Sequence, residues 1–520
     1  MLKAFLATST LLTVAAAALS AQSRAPQTID TIIVIAENVF GPGDPGLLRF
    51  ANSLRISTRP SIVRRELLFH QGEVYDSALV AETERNLRQL GVFRSVSIDT
   101  TRLADRLAVV VRTADGWSTQ LQMNFGFTGG LTTWSLGLTE TNFLGTANAA
   151  SAIFTKGVDR NSLTLATRIN RLAGQTSLTA AYVNLSDGTR FLWGLGVPFR
   201  SLSDRRSVQL VGELSDHEIR EYVNPSAVVR DTTRYQRRAF RNVLTVATAP
   251  IASPRRYLRV GMTVQLRRED YVRVSDVTLG VPDTVTAAVG AFTEFRHARY
   301  KVGYYYNGFG REEDIDLSTT VRLASWLAPA AFGYERTGIG PQITAGTGVA
   351  FPAGYLQVGA AAQGLFTSVG LDSGQVAAAM TVGLKVFPRQ VTFVHVQAGA
   401  QSSPAPGAQF DLGVNVGPRS FDAHAFTGTR AIWGTVEHRV FVWDDVAGLL
   451  GIGFAGFLDY GGAWYSDQSA RAGGNVGIGI RLGTRRSSAT NTGRIDFGYR
   501  FGDGWSGKHW VVSAGRALLF

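Results

Sequence analysis

Gly417–Tyr465 is the segment that carries the clearest structural signal. Its first part, Gly417–Phe441, is GPRSFDAHAFTGTRAIWGTVEHRVF, and its second, Gly448–Tyr465, is GLLGIGFAGFLDYGGAWY. Side chains of a strand alternate between two faces. Over Ala431–Phe441 this puts Glu437 and Arg439 on one face, and Ile432, Val436 and Val440 on the other. An ionic face backed by an aliphatic one suits a wall with a polar lumen inside and lipid outside. Arg419 and Asp459 lie in the same stretch. Away from bulk water a guanidinium and a carboxylate each need an opposite charge, and one hydrogen-bonded pair satisfies both.

The whole of 116–520 carries the same pattern, more weakly. Segments of about ten residues alternate apolar with polar or small residues, as transmembrane β-strands do. Ser162–Asn170, Thr176–Asn184, Tyr257–Arg267, Tyr300–Tyr306 and Val476–Leu482 are examples, separated by turn signals such as SDG at 186–188 and GLDSG at 370–374. The expectation is a transmembrane antiparallel β-barrel, with Trp433 and Trp443 among the aromatics of its interfacial girdles. A soluble multi-sheet protein would leave the outward aliphatic faces uncovered. The last segment, Trp510–Phe520, reads as a final strand ending in an outer-membrane targeting pattern: Ser513 polar, Gly515, Leu518 apolar and Phe520 as terminal aromatic.

The other end of the chain agrees with export. Residues 1–21 have one lysine, Lys3, then an uncharged apolar run and small residues before a cleavage point, which reads as a signal peptide. No stretch is apolar for long enough to predict a spanning helix. The chain has no cysteine, so disulfides and thiolate chemistry are excluded. Its net charge is +12, but the arginines, such as Arg237, Arg238 and Arg241, are spread among apolar residues of strand-like segments. That pattern fits a charged lumen and argues against nucleic acid as a partner.

Residues 28–115 differ in kind and predict a small α+β unit of order β-α-α-β-β. Ile29–Ile35 reads as a strand, and Pro60 opens a helix running to Leu68. Asp76 caps a second helix that Gly91 closes, and strands follow at Val92–Asp99 and Arg106–Arg112. Between the first strand and the first helix lies an insert, Phe40–Ser57.

These motifs together resemble the BamA, TamA and FhaC superfamily of outer-membrane insertases and translocases. TRPSIVRRELLFHQGEVYDSALVAETERNLRQLGVFRSVSI, beginning at Thr58, is similar to a POTRA domain. Pro418-Arg419-Ser420-Phe421 is similar to the (V/L)RG(Y/F) tip of a loop folded into the lumen in that family, and Phe457-Leu458-Asp459-Tyr460-Gly461 to the FxDxG strand that receives it. Ser420 replaces the usual glycine, so a positive φ there would carry strain. The resemblance implies one POTRA domain at 28–115 in the periplasm, then an outer-membrane barrel of about 16 strands at 116–520 with an inward loop near 417–429. It also implies a lumen lock built from Arg419, Phe421, Glu437, Arg439 and Asp459. The implied function is assembly, insertion or translocation of unfolded outer-membrane or secreted client proteins by strand pairing at a lateral seam, with a periplasmic partner at the POTRA domain. The alternative is an outer-membrane pore or solute channel with a POTRA docking domain. No cofactor, metal or enzymatic activity is implied. GxSxG, HExxH and P-loop motifs are absent; of the two GxGxxG strings, that at 41–46 follows a strand but carries Pro42 and Pro45, which remove two of the N–H groups a phosphate would need, and that at 451–456 lies inside a strand-like segment and opens no helix.

Overall fold

The computed structural model describes residues 27–128, 131–223, 231–273, 281–413, 416–486, 492–505 and 507–518; the expected signal peptide and Phe520 lie outside them. The N-terminal unit comprises β1 (Ile29–Glu37), α1 (Gly46–Ala51), a 3-10 turn (Asn52–Leu54), α2 (Pro60–Arg65), α3 (Ser77–Gln89), β2 (Phe93–Leu103) and β3 (Arg106–Asp115). Its sheet has the order β1-β3-β2, with β1 parallel to β3 and β2 antiparallel to it. Ile62, Val63, Leu67, Val80 and Leu87 from the helical side meet Val96, Val109 and Val111 of the sheet in one core. The Asp76 carboxylate caps α3, accepting from the Ala78 N–H at 2.8 Å. The helix begun at Pro60 ends at Arg65, three residues short of the sequence expectation.

The barrel strands begin with β4 (Thr119–Thr128), β5 (Leu131–Phe143), β6 (Asn148–Lys156), β7 (Asn161–Ala173), β8 (Thr176–Leu185) and β9 (Gly188–Val197). The four after these are the long β10 (Arg206–Val223), β11 (Asp231–Ala252), β12 (Arg256–Arg273) and β13 (Val281–His297). After a side hairpin, β14 (Tyr300–Gly303) and β15 (Glu313–Asp316), the wall resumes with β16 (Thr319–Ala328), β17 (Gly338–Phe351), β18 (Gly354–Thr367), β19 (Gly370–Leu384) and β20 (Gln390–Ser402). A second small hairpin, β21 (Phe410–Leu412) and β22 (Phe426–Gly428), precedes β23 (Arg430–Val446), β24 (Leu450–Trp464), β25 (Gly473–Gly483), β26 (Gly493–Gly502) and β27 (Trp510–Arg516).

Twenty of these strands close into one antiparallel barrel, in which β27 lies against β4. The expected count of about 16 is therefore too low. Many turns are only two or three residues long, such as 174–175 and 352–353, so each strand with its connection uses about 20 residues. Two segments also part from their sequence reading. Tyr300–Tyr306 has a strand pattern, but its strand ends at Gly303 and pairs with β15 outside the wall. Gly370–Gly374 belongs to β19, and the turn lies just before it. Among the described residues no helix is long and apolar enough to cross a membrane.

The wall alternates as a lipid-embedded barrel should. On β24, Phe454, Leu458 and Tyr460 are exposed, while Ala455, Phe457 and Asp459 between them are buried. On β25, Val476, Ile478 and Ile480 point out, and Asn475 and Arg481 point in. The N-terminal unit docks under one end of the barrel, hereafter the proximal end. Arg171 in the β7 end bonds Glu66 at 2.7 Å, Arg88 of α3 bonds Asp314 of β15 at 2.7 Å, and Arg486 beyond β25 bonds Asp44 at 2.6 Å. The contacts thus lie on widely separated sectors of the rim.

Candidate functional site: a buried ion network in the lumen

The connection between β20 and β23 enters the lumen from the distal end. Leu412, Phe421, Ala425 and Phe426 of this loop pack on Ala431, Trp433 and Ala463 of the wall. Trp433 is thus an interior residue, 7% exposed, and not part of a girdle. Its neighbours Ile432 and Val436 point outward, so period-2 alternation leaves it no lipid-facing option. Gly417 takes φ of 101°, whereas Ser420 is not among the residues with positive φ. The serine in the usual glycine position is therefore unstrained. It needs space instead: a Cβ at Gly498 would lie 2.4 Å from the Ser420 hydroxyl oxygen.

At the loop tip the Arg419 guanidinium is 2% exposed. Its Nε donates to Asp459 Oδ2 at 2.7 Å and its Nη2 to Asp459 Oδ1 at 2.9 Å, a bidentate pairing, and its backbone N–H adds a third bond to Oδ2 at 3.1 Å. Nη1 donates to Glu437, Nη2 also to the Thr435 hydroxyl at 3.1 Å, and the plane lies over the Phe457 ring at 4.1 Å. Asp459 is completed by Thr435 Oγ1 at 2.6 Å and Asn475 Nδ2 at 3.0 Å.

The network continues around the wall. Glu437 Oε1 accepts from Arg439 Nε at 2.7 Å and from Arg481 Nη2 at 3.0 Å. Arg481 Nη1 and Arg494 Nη1 each donate to Asp496 at 2.6 Å. Four guanidiniums therefore share three carboxylates. The surplus charge is met by backbone oxygens, since Arg439 Nη2 donates to the Leu518 carbonyl at 2.6 Å and Arg494 Nε to the Arg516 carbonyl at 3.0 Å. Apolar layers close it off on both sides. The loop cluster around Phe421 lies distally, and Tyr306, Phe309, Tyr355, Phe393 and Phe441 form a second cluster on the proximal side.

Arg419, Glu437, Arg439 and Asp459 thus meet in one place, and Phe421, 0% exposed, seats the loop beside them. Sequence reasoning missed Thr435, Asn475, Arg481, Arg494 and Asp496. The signal was available: Asn475 and Arg481, like Arg494 and Asp496, stand at even spacing in alternating strands, which puts each pair on one face. The C-terminal reading needs correction. β27 stops at Arg516, so Leu518 is beyond the strand, with its carbonyl held inward by Arg439. Ser513, 1% exposed, accepts from Arg494 at 3.3 Å and so faces the network, and Gly515 lies two residues on.

A second anchor lies nearer the distal rim, at the β6–β7 turn. His424 shares bonds with Asp411 (Nδ1, 2.6 Å) and Asp159 (Nε2, 3.0 Å) and stacks on Tyr222 at 3.8 Å. Two carboxylate partners require both ring nitrogens to carry protons, so this is an imidazolium. Burial alone would lower its pKa, but the bonds to Asp159 and Asp411 outweigh that and push it up to about 9.

No protein-family model matches the sequence, and no curated protein matches it. Among solved structures the chain is similar to CdiB from Escherichia coli, with 10% identity over 94% of this chain and 76% of that one, at a TM-score of 0.49. It is similar to BamA from Haemophilus ducreyi lacking POTRA domains 1-3, with 10% identity over 93% and 84%, at a TM-score of 0.39. It is also similar to the FrpB iron transporter from Neisseria meningitidis, with 9% identity over 94% and 91%, at a TM-score of 0.41. Likenesses at this identity assign no function to the chain.

Arg419→Ala leaves Asp459 and Glu437 short of a buried partner and should cost about 3–5 kcal/mol in unfolding free energy measured in lipid or detergent. A loss below about 1 kcal/mol would mean that the site is hydrated. For His424 the folded pKa is raised, so its contribution is fully present below about pH 6.5 and is lost as pH rises through about 9. Wild-type stability should fall across that window relative to His424→Gln; parallel pH profiles would refute the imidazolium anchor.

Proposed function

We propose that the chain belongs to the BamA, TamA and FhaC superfamily. It acts in the outer membrane to insert or translocate other proteins, with residues 28–115 serving as a POTRA domain in the periplasm. The observation that supports this most is the seating of Arg419 on Asp459, which joins the two sequence motifs of the resemblance in one bidentate pair.

The work is done by strand exchange at the β27–β4 seam. β27 has seven residues, fewer than any other strand of the wall, and beside it β4 has ten. A short ladder is the cheapest place to part a closed sheet, because fewer main-chain hydrogen bonds are lost there. An unfolded client strand pairing with a freed edge would replace those bonds, so no nucleotide is needed. The ion network ties β23 to β27 into one panel beside the seam: Asp459 of β24 bonds Thr435 of β23 and Asn475 of β25, Arg481 of β25 joins Glu437 to Asp496 of β26, and Arg494 joins Asp496 to Ser513 of β27. Client binding at the α+β unit would use the free edge of its sheet, β1 or β2.

A solute channel is the second reading. It is favoured by a distal cavity of about 880 Å³ lined by Arg241, Gln265, Arg267, Gln342, Gln375 and Gln401, among others. The loop seated in the lumen and the unit docked beneath it argue for the first.

Arg516 of β27 donates to Gln122 of β4 at 3.0 Å across the seam. In a chain free of cysteine, Gln122→Cys with Arg516→Cys should be joined by a bifunctional thiol reagent whose spacer holds a cleavable disulfide, long enough to replace the reach of the arginine. The crosslinked protein in liposomes should fail to accelerate folding of a client barrel, and reductant should restore the acceleration. Equal acceleration in both states would reject the seam, and ion conductance with no acceleration in either would favour the channel.

A further inference from the structure

Residues 38–59, which join β1 to α2 and contain the insert at 40–57, run beneath the seam. On one side Arg486, beyond β25, holds the Asp44 carboxylate at 2.6 Å and the Val39 carbonyl at 3.2 Å, with its guanidinium 5.5 Å above the Phe40 ring. Phe40 lies 6.1 Å from Trp117, just before β4, and the Trp117 N–H donates to the Arg486 carbonyl at 2.7 Å. On the other side of the seam, Thr58 Oγ1 accepts from Asn142 at 2.9 Å, and the Arg59 N–H donates to the Gly145 carbonyl at 3.1 Å. The insert is therefore fixed to the β25–β26 and β5–β6 connections, which flank β27 and β4 in the wall.

Within it, α1 turns Leu48 toward the β23–β24 turn, where a Cβ at Gly448 would lie 2.9 Å from Leu48 Cδ1. The same helix leaves Leu47 81% exposed and Phe50 62% exposed, one helical turn apart, with no residue of α1 buried. They are three positions apart, so they share a face. Beside α1, Val446, Leu449 and Leu450 at the proximal end of the lipid-facing wall are also exposed. The apolar edge of α1 thus continues the band that faces lipid, and Arg49 stands exposed between Leu47 and Phe50 in sequence. Apolar side chains combined with a basic one, at the level where a barrel leaves the bilayer, suit a membrane interface.

We propose that α1 is a membrane foot: Leu47 and Phe50 enter the periplasmic leaflet beside the β23–β24 turn, with Arg49 at the lipid phosphates. The occupant of this surface is the phospholipid leaflet. The inference rests on the barrel lying in the outer membrane, and it gives the insert a role in fixing the α+β unit to the bilayer on the β23–β26 side of the seam.

Because the chain has no cysteine, single labelling sites test it in the full-length protein reconstituted in phosphatidylethanolamine–phosphatidylglycerol liposomes. Phe50→Cys, Ile478→Cys on the outward face of β25 and His70→Cys on the exposed surface of the α+β unit each carry an environment-sensitive fluorophore. The label at 50 should be quenched most by lipids spin-labelled near the headgroup, that at 478 most by lipids labelled deep in the chain, and that at 70 by neither. A label at 50 that behaves like the one at 70, while 478 is quenched, overturns the foot and leaves the barrel in place. No quenching at 478 overturns the bilayer placement and the foot together. Quenching-independent protection at 50 that grows with protein density identifies a second copy as the occupant and also overturns the proposal.

Discussion

The arrangement of the lumen depends on one constraint, that a guanidinium withdrawn from water cannot be left unpaired. Arg419 is carried into the barrel by its loop and buried between two apolar layers. Once there it requires Asp459 and Glu437, and these in turn demand Thr435, Asn475, Arg439 and Arg481. Each added charge repeats the requirement, until the chain of partners ends on the main-chain oxygens of Arg516 and Leu518. Mutual attraction in such a setting offsets a large desolvation cost only where geometry is good, and its main product is a unique position for the loop. Gly498 shows how closely that position is set, since any side chain there would collide with Ser420.

The same constraint divides the barrel into two regions of different character. The panel from β23 to β27 has an interior filled by ions and aromatic rings. The long strands β10–β13 opposite carry pairs that are more open to water, such as Arg237 with Glu213 and Glu269. The fully buried ion pairs are thus concentrated on one side of the β27–β4 contact. The segment 38–59, which contains the insert, meets the proximal rim on both sides of that contact, through the Arg486–Asp44 pair and the Asn142–Thr58 bond.

How far these features could be read from sequence follows from what alternation records. It separates inside from outside strand by strand, so Glu437 and Arg439 fell on the lumen face and Ile432 and Val436 on the lipid face. It does not count strands, because a turn of two residues leaves little mark. It also cannot tell a wall strand from a hairpin beside the wall, which is why Tyr300–Tyr306 looked like a stave. Arg481, Arg494 and Asp496 were individually indistinguishable from solvated lumen charges, since only three-dimensional closure of β24, β25 and β26 brings them to the loop tip. The insert gave no signal of its role, because its meaning lies in which barrel turns it meets.

The most direct test of a charge-pinned loop is a double-mutant cycle on Arg419→Met and Asp459→Asn, with unfolding free energies measured in the same lipid system for wild type, both single variants and the double variant. A buried bidentate pair should give a coupling energy of about 2–3 kcal/mol, the double variant being far less destabilised than the sum of the singles. A coupling within about 0.5 kcal/mol of zero would show that the two side chains act independently and would contradict the account.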